Sequence, residues 1–217
     1  ALALMISYLY SFNDFNTPLV LNIIQPMTLA GAVIGGALPF LFSGILIEAV
    51  AKAARKMVDE VRRQFREIPG LLDGKAKPDY KTCIEISSKG AISEMKIPSL
   101  LAILVPVACG FVLGPHFVGG LIIGSTVCAI MIAIFAGNAG GAWDNGKKYI
   151  ETGAIQGHEK GTPAHDAAII GDTVGDPLKD TVGPCLDIFI KMMATVSLVT
   201  VAVFANNNLL ALLGIKL

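Results

Sequence analysis

Ionisable residues recur along residues 172–191 at spacings that place them on one side of a helix. At 100° per residue they fall within an arc of about 100°. The residues of this stripe are Asp172, Asp176, Asp180, Asp187 and Lys191, with Lys179 beside it. An uncharged apolar run follows at 192–205. Ionisable groups beside a membrane-like run are costly and mark an ion path or a binding site. The alternative, a soluble helix with a solvated face, is disfavoured by the apolar flank.

A second charged segment precedes the first. In the sequence GNAGGAWDNGKKYIE at 137–151, Asp144, Lys147 and Lys148 are spaced i, i+3 and i+4, on one helix face. Residues 141–147 also match G-x-x-x-x-G-K. A phosphate-binding loop of that type needs Ser or Thr next and a strand before it, whereas Lys148 follows and an apolar helix precedes. The sequence therefore disfavours a nucleotide-binding loop.

Carboxylates opposite lysines suit a phosphate substrate bound with magnesium. Carboxylate oxygens bind hard cations such as Mg²⁺. Lysine ammonium groups neutralise phosphate charge, and phosphoryl transfer needs no covalent nucleophile from the protein. A remaining aspartate can orient or deprotonate water. The alternative is a transporter or channel segment that binds an anionic solute without hydrolysing it.

The composition is that of a membrane protein. Hydrophobic residues make up 53% of the chain, charged residues 16%, and the mean hydropathy is +0.65. The four cysteines show no C-x-x-C spacing and the three histidines are not grouped. We therefore predict neither a disulfide framework nor a zinc site.

The hydropathy pattern predicts an all-α membrane protein, a transmembrane helix bundle in which residues 1–217 form one integral-membrane segment. The predicted spans are 27–51, 97–117, 118–143 and 169–205, and residues 1–10 are the end of an earlier helix. The cytoplasmic connections are 52–96 and 144–168. Small residues at Gly31, Gly35 and Gly36 permit close helix packing. Because the chain opens inside an apolar run, we expect it to be part of a longer protein.

Basic residues predict the orientation. Of the 17 Lys and Arg residues, all except Lys191 and Lys216 lie in or beside the two connections. The positive-inside rule places those connections in the cytoplasm and the C-terminus outside. Both charged segments then lie at the cytoplasmic mouths of adjacent helices.

Three stretches carry a specific resemblance. They are GGAWDNGKKYIE at 140–151, GDTVGDPLKDTVGP at 171–184, and KMVDEVRRQF at 56–65 with IPG at 68–70. They resemble the C-terminal part of membrane-bound, ion-pumping inorganic pyrophosphatases, and the similarity extends along essentially the whole chain. The resemblance implies a homodimer of sixteen-helix subunits that couples pyrophosphate hydrolysis to export of H⁺ or Na⁺. This chain would hold the end of helix twelve and helices thirteen to sixteen.

The resemblance also implies roles for the charged residues. The metal ligands for Mg²⁺ would be Asp144, Asp176 and Asp172. The substrate-binding residues would be Lys147, Lys179 and Lys148. Asp180 would be the catalytic residue, holding the attacking water with an aspartate from an absent helix. For Asp172 and Lys148 the alternative is an ion pair within the cluster.

Asp187 and Lys191 would form the ion gate. Plant-type proton pumps of this family carry Asn at the position of Asp187, whereas Asp there resembles sodium-pumping members. An additional carboxylate supplies the hard oxygen ligands that Na⁺ needs. We therefore predict Na⁺ transport, with H⁺ as the alternative, and we expect Asp187 and Lys191 to pair with each other or with an acid from a missing helix.

The remaining expectations follow from the same resemblance. K⁺ and Na⁺ are candidate activators besides Mg²⁺. The expected partners are inorganic pyrophosphate, the missing N-terminal helices of the same protein, a second subunit and the lipid bilayer, with no nucleic acid. The expected location is a bacterial inner (cell) membrane, with the active site facing the cytoplasm. Because the N-terminal helices supply further metal ligands, residues 1–217 alone are expected to be an inactive fragment.

Overall fold

Every regular element of the computed structural model is a helix within the residues it describes, 1–12 and 17–214. Residues 13–16 and residues 215–217, at the predicted external C-terminus, lie outside the described residues. The helices are α1 Leu2–Tyr10, α2 Pro26–Glu67, α3 Tyr80–Glu94, α4 Lys96–Leu113, α5 Pro115–Glu151, α6 Pro163–Asp176, a π-helix Pro177–Val182, α7 Gly183–Phe204 and α8 Leu209–Leu212. The predicted all-α class is confirmed.

Four helical stretches are long and apolar enough to cross a membrane. They are Pro26–Glu67, Tyr80–Leu113, Pro115–Glu151 and Pro163–Leu212. Helix α2 has 42 residues. At about 1.5 Å per residue it is about 63 Å long, roughly twice the thickness of a bilayer core. The chain is therefore a bundle of membrane helices, one of which extends well beyond the apolar layer.

The helix bounds differ from the predicted spans at two places. The break between the second and third spans lies at Gly114, not after residue 117, because Gly114 adopts a φ of 80° and Pro115 opens the next helix. Helix α5 then continues to Glu151, through residues predicted as part of a connection. The motif with Asp144 is thus the last part of a membrane helix.

The last predicted span is not one regular α-helix. A π-helix at Pro177–Val182 separates α6 from α7, and the N–H of Gly183 donates to the carbonyl of Leu178, five residues back. Pro177 and Pro184 have no backbone N–H, which removes donors from the i→i−4 ladder at both ends of this segment. The widened turn carries Lys179 and Asp180, as π-helices at functional sites often do.

Glycines bring α2 and α5 into backbone contact. A Cβ atom on Gly31 would lie 2.1 Å from the carbonyl oxygen of Phe117, and one on Gly35 would lie 2.2 Å from that of Leu121. From the other side, a Cβ atom on Gly124 would lie 2.0 Å from the carbonyl oxygen of Ala32. No other residue type permits this approach, so the predicted packing role of Gly31 and Gly35 is confirmed.

Two apolar clusters fix α7 against this pair. The rings of Phe42 and Phe189 lie 4.4 Å apart between centroids, beside the buried side chains of Leu121 and Met193. At the opposite end, Val201 and Phe204 of α7 lie in one cluster with the fully buried Tyr8, whose hydroxyl donates to the carbonyl of Pro115 at 2.8 Å. Helix α7, which carries Asp187 and Lys191, therefore has a fixed position in the bundle.

A polar contact returns the chain to α2 before α3 begins. The buried Gln64 amide accepts from the N–H of Asp79 at 2.8 Å and donates to its carbonyl at 3.0 Å. Asp79 also caps α3, because its carboxylate accepts hydrogen bonds from the hydroxyl and N–H of Thr82. These bonds hold the pKa of the Asp79 carboxyl below its usual range. The loop between α2 and α3 is thereby anchored at its end.

We predict that Gly124→Ala destabilises the full-length protein. The added methyl group would meet the Ala32 carbonyl, and overpacking of this kind costs about 1–3 kcal/mol. Gly137→Ala in the same helix is the matched control, because nothing lies within 4 Å of its Cβ position. Thermal unfolding in detergent measures both. Equal midpoints for the two variants would contradict the glycine contact.

Candidate functional site

A second glycine contact brings the charged ends of α5 and α6 together. A Cβ atom on Gly140 would lie 2.5 Å from the carbonyl oxygen of Gly175 and 2.8 Å from the Cβ atom of Lys179. Asp144 lies one turn beyond Gly140 on α5. The close approach therefore places Asp144 opposite Lys179, which the π-helix carries.

The ammonium group of Lys179 lies among three carboxylates from two helices. Its Nζ atom is 2.6 Å from Oδ2 of Asp144, 2.9 Å from Oδ1 of Asp176 and 3.9 Å from Oδ1 of Asp172. The Lys179 side chain is only 18% exposed. Lys179 is thus the central positive charge between α5 and α6.

Asp172 is the most deeply buried carboxylate of the site. It is 6% exposed, and its Oδ2 atom accepts a hydrogen bond from Lys147 of α5. Its Oδ1 atom is buried and accepts no hydrogen bond from any residue in the described ranges. A buried carboxylate oxygen without a donor is costly. This oxygen can therefore accept a hydrogen bond or bind a cation.

Lys148 completes the group. Its ammonium lies 3.0 Å from Oδ2 of Asp144, and its side chain is 62% exposed. We call these six residues the mouth cluster: Asp144, Lys147, Lys148, Asp172, Asp176 and Lys179. The alternative expected for Asp172 and Lys148, ion pairs within the cluster, is what this structure contains. Three carboxylates and three ammonium groups give the mouth cluster no net formal charge.

Asp180 is near the mouth cluster in sequence but is not joined to it. Its side chain is exposed, and no residue among 1–12 and 17–214 forms an ion pair or hydrogen bond with it. Asp180 follows Lys179 directly on the π-helix. Its carboxylate is therefore free to bind a group outside the cluster.

Asp187 and Lys191 form a separate pair on α7. The Nζ atom of Lys191 donates to Oδ2 of Asp187 at 2.6 Å, and both side chains are more than half exposed. The predicted pairing is confirmed. The two residues lie further along the helical stretch that also carries Lys179. The described part of the chain does not pack against their side of α7.

The sequence analysis missed one contact of this region. His165, buried at the start of α6, has its Nε2 atom 3.0 Å from Oε1 of Glu151, the last residue of α5. The spacing held a signal, because Glu151 lies four residues after Lys147 and His165 seven before Asp172. Both intervals return a residue to the same helix face.

The mouth cluster has the chemistry of a magnesium site in which a bound phosphate group supplies part of the coordination. In the part of the chain that the structure describes, no three His, Cys, Asp or Glu side chains are grouped tightly enough to hold a metal alone. Mg²⁺ at phosphate sites uses only one or two carboxylates, with phosphate and water completing the shell. The donorless Oδ1 atom of Asp172 and the half-exposed carboxylate of Asp176 are of that type.

Comparison with known proteins gives one family. The family described as inorganic H⁺ pyrophosphatase matches residues 1–200. The chain is 54% identical over 216 residues to the K(+)-stimulated pyrophosphate-energized sodium pump of Thermotoga maritima, which covers 96% of this chain. It is 50% identical over 174 residues to the K(+)-insensitive pyrophosphate-energized proton pump of Methanosarcina mazei, covering 80% of this chain. The matched regions are 30% and 26% of those relatives, so the chain spans about a quarter to a third of their length.

We predict that Gly140→Ala separates α5 from α6 and destabilises the full-length protein by about 1–3 kcal/mol, because the new methyl group would meet the backbone at Gly175. Gly141→Ala is the matched control, since nothing lies within 4 Å of its Cβ position and alanine favours a helix. Thermal unfolding in detergent measures both changes. A loss of stability in the control as large as in Gly140→Ala would show that the close approach is not the cause.

Proposed function

Because this chain belongs to the inorganic H⁺ pyrophosphatase family, we propose that it is the C-terminal part of a pump that couples Mg²⁺-dependent hydrolysis of inorganic pyrophosphate to Na⁺ export. The observation that carries the proposal is the mouth cluster, in which three lysines and three aspartates from adjacent membrane helices converge. The family match by itself does not say which residues form the site. The mouth cluster does, because its lysines suit phosphate groups and its aspartates suit Mg²⁺.

The lysines of the mouth cluster bind the phosphate groups. In the structure Lys147, Lys148 and Lys179 each pair with an aspartate, so the cluster is neutral before substrate arrives. Pyrophosphate offers these ammonium groups a second set of oxygen acceptors. Lys179 is held among three carboxylates, so its ammonium lies at the centre of the site, where it can act on charge that develops during hydrolysis once it exchanges these partners for phosphate.

The aspartates of the mouth cluster hold the metal. As the lysines turn to phosphate, the carboxylates of Asp144, Asp172 and Asp176 lose their partners and become hard oxygen ligands. When bound, Mg²⁺ neutralises charge on the phosphate oxygens. The donorless Oδ1 atom of Asp172 supports this role, since a cation would complete its coordination.

Asp180 orients the attacking water. Its carboxylate is exposed and unpaired within the described chain, so both oxygens are available as acceptors. A carboxylate in this position aligns water and accepts its proton as the bond to phosphorus forms. A second aspartate from the N-terminal helices would share the water.

Asp187 and Lys191 form the gate for the transported ion. An ion pair inside a membrane domain is costly unless another group or ion completes it. The Asp187 carboxylate offers hard oxygen ligands for Na⁺, and the relative in Thermotoga maritima is named as a sodium pump. The relative in Methanosarcina mazei is named as a proton pump, which keeps H⁺ as the alternative cargo.

The rest of the pump surrounds this part. Large apolar side chains such as Val33, Phe40, Phe135 and Val199 are exposed on the bundle, which supports packing against lipid, the N-terminal helices and a second subunit. The basic connections support a mouth cluster that faces the cytoplasm, with the C-terminus outside. The relative in Thermotoga maritima supports a bacterial cell membrane as the location. The name of the Thermotoga maritima relative supports K⁺ as an activator.

In the full-length protein, Lys179→Ala or Asp180→Asn should lower pyrophosphate hydrolysis at least about a hundredfold, because the first loses the central ammonium and the second the base. Phosphate release from membranes, with and without Mg²⁺, measures this, and chelation of Mg²⁺ should abolish it. Lys81→Ala, on exposed helix α3, is the control. Both variants should reach the membrane in normal amounts. Wild-type turnover in either one would contradict the site.

The transported ion is tested in inverted vesicles by hydrolysis and ²²Na⁺ uptake across a Na⁺ titration. We expect hydrolysis to require Na⁺ and to drive uptake. Asp187→Asn should raise the Na⁺ concentration needed, because it removes a charged oxygen ligand. Full hydrolysis without Na⁺, with acidification and no ²²Na⁺ uptake, would identify a proton pump instead.

A further inference from the structure

A buried histidine connects the ends of α5 and α6. His165 is 5% exposed. Its Nδ1 atom accepts a hydrogen bond from the N–H of Gly161 at 3.2 Å, and its Nε2 atom lies 3.0 Å from Oε1 of Glu151. A ring nitrogen that accepts a hydrogen bond carries no proton, so the proton of the imidazole is on Nε2 and is donated to Glu151. We call this contact the His165–Glu151 bridge.

The loop between the two helices does not hold them together by itself. Residues 151–161 are all exposed. Several of their hydrogen bonds are internal: the N–H of Gly157 donates to Oε1 of Glu159 at 3.0 Å, and the hydroxyl of Thr162 donates to the carbonyl of Glu159 at 2.8 Å. At its two ends the loop bonds only to the helix beside it, through the N–H groups of Thr152 and Gly153 to α5 and that of Gly161 to His165 of α6, among the described residues. The backbone N–H groups of Glu159 and Gly157 lower the pKa of the Glu159 carboxyl. Among the described residues, the His165–Glu151 bridge is the side-chain hydrogen bond that joins α5 to α6 nearest this loop.

The bridge lies on the same helix faces as a contact of the mouth cluster. Glu151 follows Lys147 by four residues on α5, and His165 precedes Asp172 by seven residues on α6. The His165–Glu151 bridge and the Lys147–Asp172 ion pair are thus successive connections between the same two helices. A shift of the first changes the geometry of the second.

We infer that His165 and Glu151 are positioning residues for the phosphate-binding ammonium of Lys147, an inference that rests on the proposed function. Lys147 reaches the site on a flexible side chain from the last turns of α5. Besides the bridge, the last turns of α5 are joined to α6 by the ion pairs of the mouth cluster, which the substrate itself must exchange, and by the close approach of Gly140 to Gly175 about two turns before Lys147. The bridge therefore keeps α5 and α6 in register while Lys147 turns from Asp172 to phosphate. A small displacement of a positioned group costs up to about a hundredfold in rate.

The test compares KM and kcat for pyrophosphate in the full-length protein in membranes. His165→Ala and Glu151→Ala should each lower kcat/KM about tenfold, mainly by raising KM, because Lys147 contacts the substrate before and during the reaction. In His165→Gln and Glu151→Gln, kcat/KM should recover to within about threefold of the wild-type value. The glutamine at position 165 keeps a donor and an acceptor, and the glutamine at position 151 keeps an acceptor. His158→Ala is the control, because His158 is an exposed histidine of the same loop. The double alanine variant should be no worse than either single variant.

Thermal midpoints and protein amounts separate positioning from folding. If the His165→Ala protein does not accumulate, the comparison of Glu151→Ala with Glu151→Gln tests the inference instead. The Glu151 side chain is one-third exposed, so its removal leaves no cavity in the core. Wild-type KM in folded alanine variants, additive losses in the double variant, or no recovery with glutamine would overturn the inference. Absence of pyrophosphate hydrolysis by the wild type would refute the proposed function instead.

Discussion

The ammonium group of Lys179 is the central contact between the charged ends of two membrane helices. It contacts Asp144 on one helix and Asp176 on the other, with Asp172 behind them. Charges that are largely removed from water must be paired, and removal of one partner leaves the other uncompensated. The mouth cluster is therefore stable only as a neutral set, and any ligand must exchange charge for charge. In the proposed function, pyrophosphate would supply negative charge to the lysines and Mg²⁺ would supply positive charge to the aspartates.

This arrangement depends on backbone geometry as much as on charge. Lys179 reaches Asp144 because Gly140 and Gly175 allow α5 and α6 to touch. The π-helix then turns Lys179 inward and leaves the next residue, Asp180, exposed and without a hydrogen bond or ion pair among the described residues. A widened turn between two prolines is also a point at which a helix can change its hydrogen-bond partners. The π-helix leads directly into α7, which carries the Asp187–Lys191 pair, so the proposed hydrolytic site and gate lie along one helical stretch.

The exposed residues describe the part of the site that this chain does not supply. Asp180, Asp187 and Lys191 lie on uncovered faces of the last helices. In a membrane, charged groups face protein or water rather than lipid. These faces therefore match the position of the N-terminal helices in the proposed pump. These charged residues are covered on one side only, which agrees with a chain that covers about a quarter to a third of its relatives' length.

The sequence by itself determined the class of fold, the number of membrane-spanning stretches and the two charged segments, because hydropathy and helical periodicity are local properties that neighbouring residues set. The ion pair of Asp187 with Lys191 was also predictable, since residues four apart meet on any helix. The π-helix was not predictable from the charge pattern. A regular α-helical period of 100° per residue already placed the charged stripe on one face, so nothing in the pattern indicated a wider turn.

Only the tertiary structure decided which charges meet. Lys179 pairs with Asp144, 35 residues away, because two glycines bring their helices into contact. The His165–Glu151 bridge and the donorless oxygen of Asp172 were likewise fixed by packing between α5 and α6. Distances between helices depend on every contact along them, whereas the spacing of residues on one helix depends only on its pitch.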